Sequence, residues 1–252
     1  MRDSDVEVRF VLEDDLPSLV RDGTGERCFE RMIERGASVK DAIERLGIPH
    51  TEVLAIAVNG VFVGFDRGVQ AGDAVEVFSQ SSARAPDPVR LGPSFAGWVP
   101  RFVLDVHLGT LARRLRLLGF DSVYQRDLDD PELARIASTE DRALLTRDRG
   151  LLKRNEVRRG HLVRSTVPAS QLLEVIGRFS LVPRFAPFVR CIRCNGMIEP
   201  TSRGAVADRL APGVLEDFEE FFACSRCGQP YWRGSHYDKL VALVDGLRGA
   251  AT

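Results

Sequence analysis

The chain has 252 residues, 44% of them hydrophobic and 28% charged, with a net charge of −1. That balance describes a globular protein with core for one large domain or several small ones, and no apolar run approaches the ~20 residues needed to span a bilayer. The opening "MRDSDVEVRFVLEDD" has no apolar stretch of signal-peptide type, so the expectation is a cytoplasmic protein with reduced thiols. The charge is unevenly placed. Residues 1–82 hold 9 Lys or Arg against 16 Asp or Glu, whereas residues 83–252 hold 26 against 20. Only Lys40, Lys153 and Lys239 are lysines, so the cations are mostly arginine, whose planar multi-donor head suits phosphate. The asymmetry predicts separate modules.

The first module, residues 1–80, alternates strand and helix signals. "VEVRFVLE" has apolar Val6, Val8 and Phe10 at period two. "SVKDAIERLGI" opens on a candidate cap, Ser38, and carries Val39, Ala42, Ile43 and Leu46 at helical spacing before Gly47. "EVLAIAVNGVFVGFD" predicts a hairpin turning at Asn59-Gly60, and "AGDAVEVFS" a closing strand. This order resembles the ubiquitin-like β-grasp domains related to the sulfur carriers, in which "VNG" and "GDxVxVF" fall at comparable places. Sulfur carriers work through a free C-terminal Gly-Gly, but here the chain runs on as "FSQSSARAPDPVRLGPS", which speaks against sulfur transfer. Residues 81–98, polar and proline-containing, are the expected linker.

Residues 99–188 return to strand–helix alternation. "RFVLD" reads as a buried-type strand, and "HLGTLARRLRLLGF" as a helix with Leu108, Leu111, Ala112, Leu115 and Leu118 on one face. "DSVYQR", "DPELARIASTE", "RALLTRD", "RGLLKR", "GHLVRST" and "ASQLLEVIGRF" continue the alternation. The pattern predicts a parallel α/β sheet, in which ligands sit beyond the C-terminal strand ends. The acids that end strands are therefore the candidates. Asp105 ends "FVLD", Asp148 ends "LLTRD", and Asp127, Asp129 and Asp130 lie just past "VYQ". Clustered carboxylates suit Mg2+ or Mn2+, hard ions that serve phosphoester hydrolysis. Asp130, ahead of Pro131, also has the pattern of a helix N-cap.

The last module, residues 189–240 with a C-terminal helix to 252, holds Cys191-x-x-Cys194 and Cys224-x-x-Cys227. Two such pairs, each followed closely by Gly, predict a zinc ribbon with four cysteine thiolates around one tetrahedral ion. Two disulfides or a redox pair are the alternatives. Cys28 is left over and reads as an ordinary reduced thiol.

The stretch "RFVLDVHLGTLARRLRLLGF…LLTRDRGLLKR", followed by "CxxCNG…CxxCGxxYWxGSH", resembles the Mut-seven C-terminal family of PIN-like ribonucleases, whose bacterial members often carry a ubiquitin-like N-terminal domain. The resemblance implies a metal-dependent nuclease with catalytic Asp105, Asp130 and Asp148 and with Thr146 orienting the metal shell. The same chemistry needs cations beside the acids, and Arg147, Arg149, Lys153 and Arg154 surround Asp148. Arg113, Arg114 and Arg116 are expected on the helix face opposite the leucines. Trp232, Arg233 and His236 are candidates to stack and hold unpaired bases. A non-catalytic RNA-binding protein is the competing reading. In a third reading the acidic first module binds a protein partner or docks on the basic half and weakens RNA binding.

Overall fold

Alternate burial makes Asp5–Leu12 the first strand, β1, with Val6, Val8, Phe10 and Leu12 turned inward. The computed structural model describes residues 5–21, 25–80, 82 and 90–249. β2 (Cys28–Glu34) follows and pairs antiparallel with β1. Helix α1 (Val39–Leu46) starts as expected: Ser38 is extended and its side chain accepts the Asp41 amide at 3.0 Å. It buries Val39, Ala42, Ile43 and Leu46 and stops at Gly47. β3 (Val53–Val58) turns at Asn59 and Gly60, both at positive φ (53° and 79°), into β4 (Val61–Phe62). β5 (Ala74–Ser79) completes a five-stranded sheet of order β2-β1-β5-β3-β4, with β1 and β5 parallel. This is the expected β-grasp arrangement. Of the expected linker, residues 81 and 83–89 lie outside the described residues, while Trp98 is buried and its indole N–H donates to the Asp141 carbonyl at 2.9 Å.

The α/β region runs β6 (Arg101–Leu104), α2 (Gly109–Leu117), β7 (Asp121–Tyr124), α3 (Asp130–Thr139), β8 (Ala143–Thr146), α4 (Arg149–Leu152), β9 (Gly160–Leu162) and α5 (Pro168–Phe179). β6 pairs with β7, and β8 with β9, both parallel. The ribbon holds β10 (Ile198–Thr201), two short helices, α6 (Arg203–Val206) and α7 (Pro212–Asp217), β11 (Phe221–Cys224) and β12 (Pro230–Trp232), in an antiparallel sheet of order β10-β11-β12. Helix α8 (Ser235–Gly249) ends the described chain, and residues 250–252 of the expected C-terminal helix lie outside it. By compactness the chain divides into two units: residues 1–99 with 129–162, and residues 100–128 with 163–252. No described helix is long and apolar enough to cross a membrane.

In α2 the leucine stripe is buried as the spacing predicts, but Arg116 is not on a solvated face. It is 4% exposed, and its guanidinium donates to the carbonyls of Ser122, Ile192 and Arg193. Helical spacing placed it opposite the leucines. The packing of the ribbon's first knuckle over that flank of the helix buries it, and three carbonyls compensate its lost hydration.

The helix ends at Gly119, where φ is +95° and an added Cβ would lie 2.1 Å from the Ala186 carbonyl oxygen. Neither the backbone angle nor the space admits a side chain. Gly119→Ala is expected to cost about 2–4 kcal/mol of stability, read as a lower urea midpoint. An unchanged midpoint would show that the Ala186 segment yields freely.

Candidate functional site

The four paired cysteines come together. Cys191 and Cys194 flank the turn before β10, Cys224 ends β11, and Cys227 lies in the turn to β12. Their sulfurs all lie within 4.8 Å of one another, with Cys191–Cys227 at 3.7 Å and Cys194–Cys224 at 3.4 Å. Disulfide sulfurs would be about 2.05 Å apart, whereas four ligands about 2.3 Å from one tetrahedral ion stand roughly 3.8 Å from each other. All four are free thiols. Gly196 makes room for them: a Cβ there would lie 2.8 Å from the Cys224 Sγ and 3.5 Å from the Cys194 Sγ. An all-thiolate set in this arrangement fits a soft tetrahedral ion such as Zn2+.

The thiols are electrically uneven. Burial alone would raise Cys191, but the Tyr231 hydroxyl donates to its Sγ at 3.1 Å, and this bond with the backbone amides of Cys194 and Arg193 brings it down to about 7. Burial pushes Cys194 up to about 12. The knuckle is also anchored within its own unit. Asn195, at φ 71°, accepts from the Ser122 amide at 3.0 Å and donates to Asp121 Oδ1 at 2.7 Å. Arg190 donates to the carbonyls of Gly119 and Asn195. Nothing local in the sequence marks Asn195 as an anchor of the knuckle or Tyr231 as a thiolate donor.

The carboxylates divide between the two units. Asp105 follows β6 and is 6% exposed; its Oδ1 accepts the His107 amide at 2.9 Å and so caps a short 3-10 turn. In the other unit, Asp148 follows β8 and is exposed. Its Oδ1 accepts the Gly150 amide at 2.6 Å, capping α4, while its own amide donates to the buried Thr146 hydroxyl at 2.9 Å. Thr146 thus orients the backbone at Asp148.

The N-cap expected at Asp130 is Asp129, whose carboxylate accepts the Glu132 amide at 2.9 Å. Helical bonding already begins with the Leu133 amide on the Asp129 carbonyl, so the extended capping residue lies one earlier. Asp130 becomes the first helical residue, with its side chain exposed.

The expected phosphate-binding cations have different surroundings. Arg149 Nη1 donates to the Leu19 carbonyl at 2.7 Å, and the Lys153 ammonium donates to the Glu44 carbonyl, so both heads are engaged by the first module. Arg154 is half-exposed beside Glu156, Arg113 and Arg147 are exposed, and Arg114 is half-exposed. On the ribbon, Trp232, Arg233 and His236 share with Phe188, Phe222 and Tyr231 the lining of a largely apolar cavity of about 820 Å3. Arg233 lies 3.3 Å from Glu220 and 5.9 Å from the centre of the Tyr237 ring.

Two family models match the chain. A Mut7-C RNAse domain matches residues 100–244, more than half of its length, and a Mut7-C ubiquitin domain matches residues 5–84. No curated protein matches. Among solved structures, the small archaeal modifier protein 1 of H. volcanii is similar to the chain at 19% identity and a TM-score of 0.25, over 29% of this chain and 97% of its own. A protein of Pyrococcus furiosus described as a putative molybdopterin converting factor, subunit 1, is similar at 26% identity with the same TM-score and coverages.

Proposed function

Because the chain belongs to the Mut7-C RNAse domain family, with a Mut7-C ubiquitin domain ahead of the nuclease region, we propose that it hydrolyses RNA phosphodiester bonds with Mg2+ or Mn2+, and that Asp105, Asp130 and Asp148 are its catalytic acids. The observation that carries this reading is that Asp105 and Asp148 each stand directly past the C-terminal end of a parallel strand, where α/β sheets place their chemistry. Oxygen donors suit such an ion, which when bound supplies an activated water and offsets negative charge on phosphate. The chain's own residues hold the carboxylates still. The His107 amide fixes Asp105, and the Gly150 amide with the Thr146 hydroxyl fixes Asp148.

Arg147, Arg154, Arg113 and Arg114, whose side chains reach solvent, are the cations we assign to the RNA backbone. A structural Zn2+ in the four-cysteine site keeps the ribbon folded. The ribbon cavity, with Trp232 beside Arg233 and His236, takes unpaired bases of a single-stranded substrate. Trp232→Ala is expected to weaken single-stranded RNA binding by about 1–3 kcal/mol while zinc content stays unchanged. Equal affinity in a titration would move the binding surface off the ribbon. The function itself is tested by incubating the purified chain with single-stranded RNA and Mn2+, with and without EDTA. Cleavage that persists in EDTA would contradict metal dependence.

A further inference from the structure

The first module holds the segment that carries Asp148 at both ends. At one end lies a short 3-10 helix, His50–Glu52. The Glu52 carboxylate, only 3% exposed, accepts the Leu162 amide of β9 at 2.6 Å and stands 3.1 Å from Nδ1 of the equally buried His161. His50 stands at the same end, with Nδ1 2.8 Å from Glu44 Oε1 and Nε2 3.0 Å from the Val157 carbonyl oxygen. At the other end, Arg149 and Lys153 on and just past α4 donate to the Leu19 and Glu44 carbonyls, and the Lys40 ammonium meets the Asn155 amide oxygen.

These contacts lead to Asp148 by short steps. β9 is an outer strand, paired with β8 on one flank. On the other flank a neighbouring strand would offer carbonyl oxygens to its free amides. The Glu52 carboxylate takes that place and satisfies a buried backbone N–H that would otherwise be left without a partner. Leu162 is in register with Thr146 of β8, and the Thr146 hydroxyl accepts the Asp148 amide. One carboxylate bond, one strand pairing and one hydroxyl bond therefore link Glu52 to the backbone of Asp148.

We propose that Glu52 is a positioning residue for Asp148, and that the ubiquitin-like fold is a fixed part of the nuclease rather than a carrier or a removable brake. The inference rests on reading Asp148 as a catalytic acid. A surface built for release would not hide a carboxylate and an imidazole at 3% exposure each, because both ionisable groups bury at a cost that their mutual contact and the Leu162 amide help to offset.

The test uses the full chain with Glu52→Gln and Glu52→Leu, and measures amide hydrogen exchange over residues 143–153 together with Mn2+-dependent cleavage of single-stranded RNA. Gln keeps an acceptor oxygen for the Leu162 amide, so exchange and kcat should stay within about twofold of wild type. Leu removes the acceptor: exchange of 143–153 should rise about tenfold or more, and kcat should fall about tenfold with KM little changed, since misplacing a catalytic group acts on the chemical step. Should Glu52→Leu not fold, His50→Leu replaces it. This variant releases the Val157 carbonyl and should raise exchange in the same segment by a smaller factor. Wild-type exchange in whichever of the two folds overturns the proposal, as does a Glu52→Gln variant as impaired as Glu52→Leu. A wild-type chain with no cleavage sinks the ribonuclease reading instead, and the exchange results then decide the mechanical link by themselves.

Discussion

Asp148→Asn is expected to abolish Mn2+-dependent cleavage of single-stranded RNA, and Asp105→Asn to do the same, while each protein stays folded. The two parts of this expectation have separate physical grounds. Both carboxylates act locally as caps: Asp148 Oδ1 on the Gly150 amide and Asp105 Oδ1 on the His107 amide. Asn also offers an acceptor oxygen in an equivalent position and is among the preferred capping residues, so local structure and stability should change little. What disappears is one negative charge at a strand end where a hard cation would bind. Losing such a stabilising group costs on the order of 10²–10³ in kcat, or about 3–4 kcal/mol in the barrier. RNA affinity should stay close to wild type, because the arginines proposed to hold phosphate are untouched. Two Asn variants that cut RNA as fast as wild type would place the activity elsewhere, and the binding-only reading would take the lead.

Removing the ion from the four-cysteine site is expected to unfold the ribbon. The purified chain should carry one zinc, and Cys191→Ser or Cys224→Ser should lose it, since serine is a poor ligand and the remaining three thiols leave one corner open. Binding energy at a structural zinc is folding energy, roughly 10–16 kcal/mol in small zinc-finger peptides, so the loss cannot stay at the sulfurs. It should reach α2 and β7, because Asn195 is bonded to Ser122 and Asp121, and Arg116 to the carbonyls of Ile192 and Arg193. A chelator should therefore speed amide exchange over residues 189–232 and also at 116–124, but not over the β-grasp strands. Elemental analysis finding no zinc in a chain with four reduced thiols would refute the assignment.

Much of the fold was legible because its signals are local. Ser38 and Gly47 bound α1 by capping chemistry, Asn59-Gly60 turns the hairpin by backbone angle, and the α2 leucines share a face by spacing alone. Strand β2 carries no such signal, since only Phe29 and Ile33 of its seven residues are buried and three of the others are charged. The helices α6 and α7, between the two cysteine pairs, are too short for a periodic pattern to show.

By itself the sequence determined the β-grasp order of the first module, the strand-end positions of Asp105 and Asp148, and a four-thiol centre, because spacing and periodicity decide which residues share a turn, a face or a strand end. Only the tertiary structure decided what the cations and buried polar groups do. Arg116 lies beneath the first cysteine knuckle instead of facing solvent, Arg149 and Lys153 bind carbonyls of the first module, and Glu52 completes the outer flank of β9. Each of these partners is dozens of residues away in the chain. A side chain's local pattern says that it is polar, but whether it meets water, a phosphate or a distant backbone amide depends on which surfaces the folded chain brings against it.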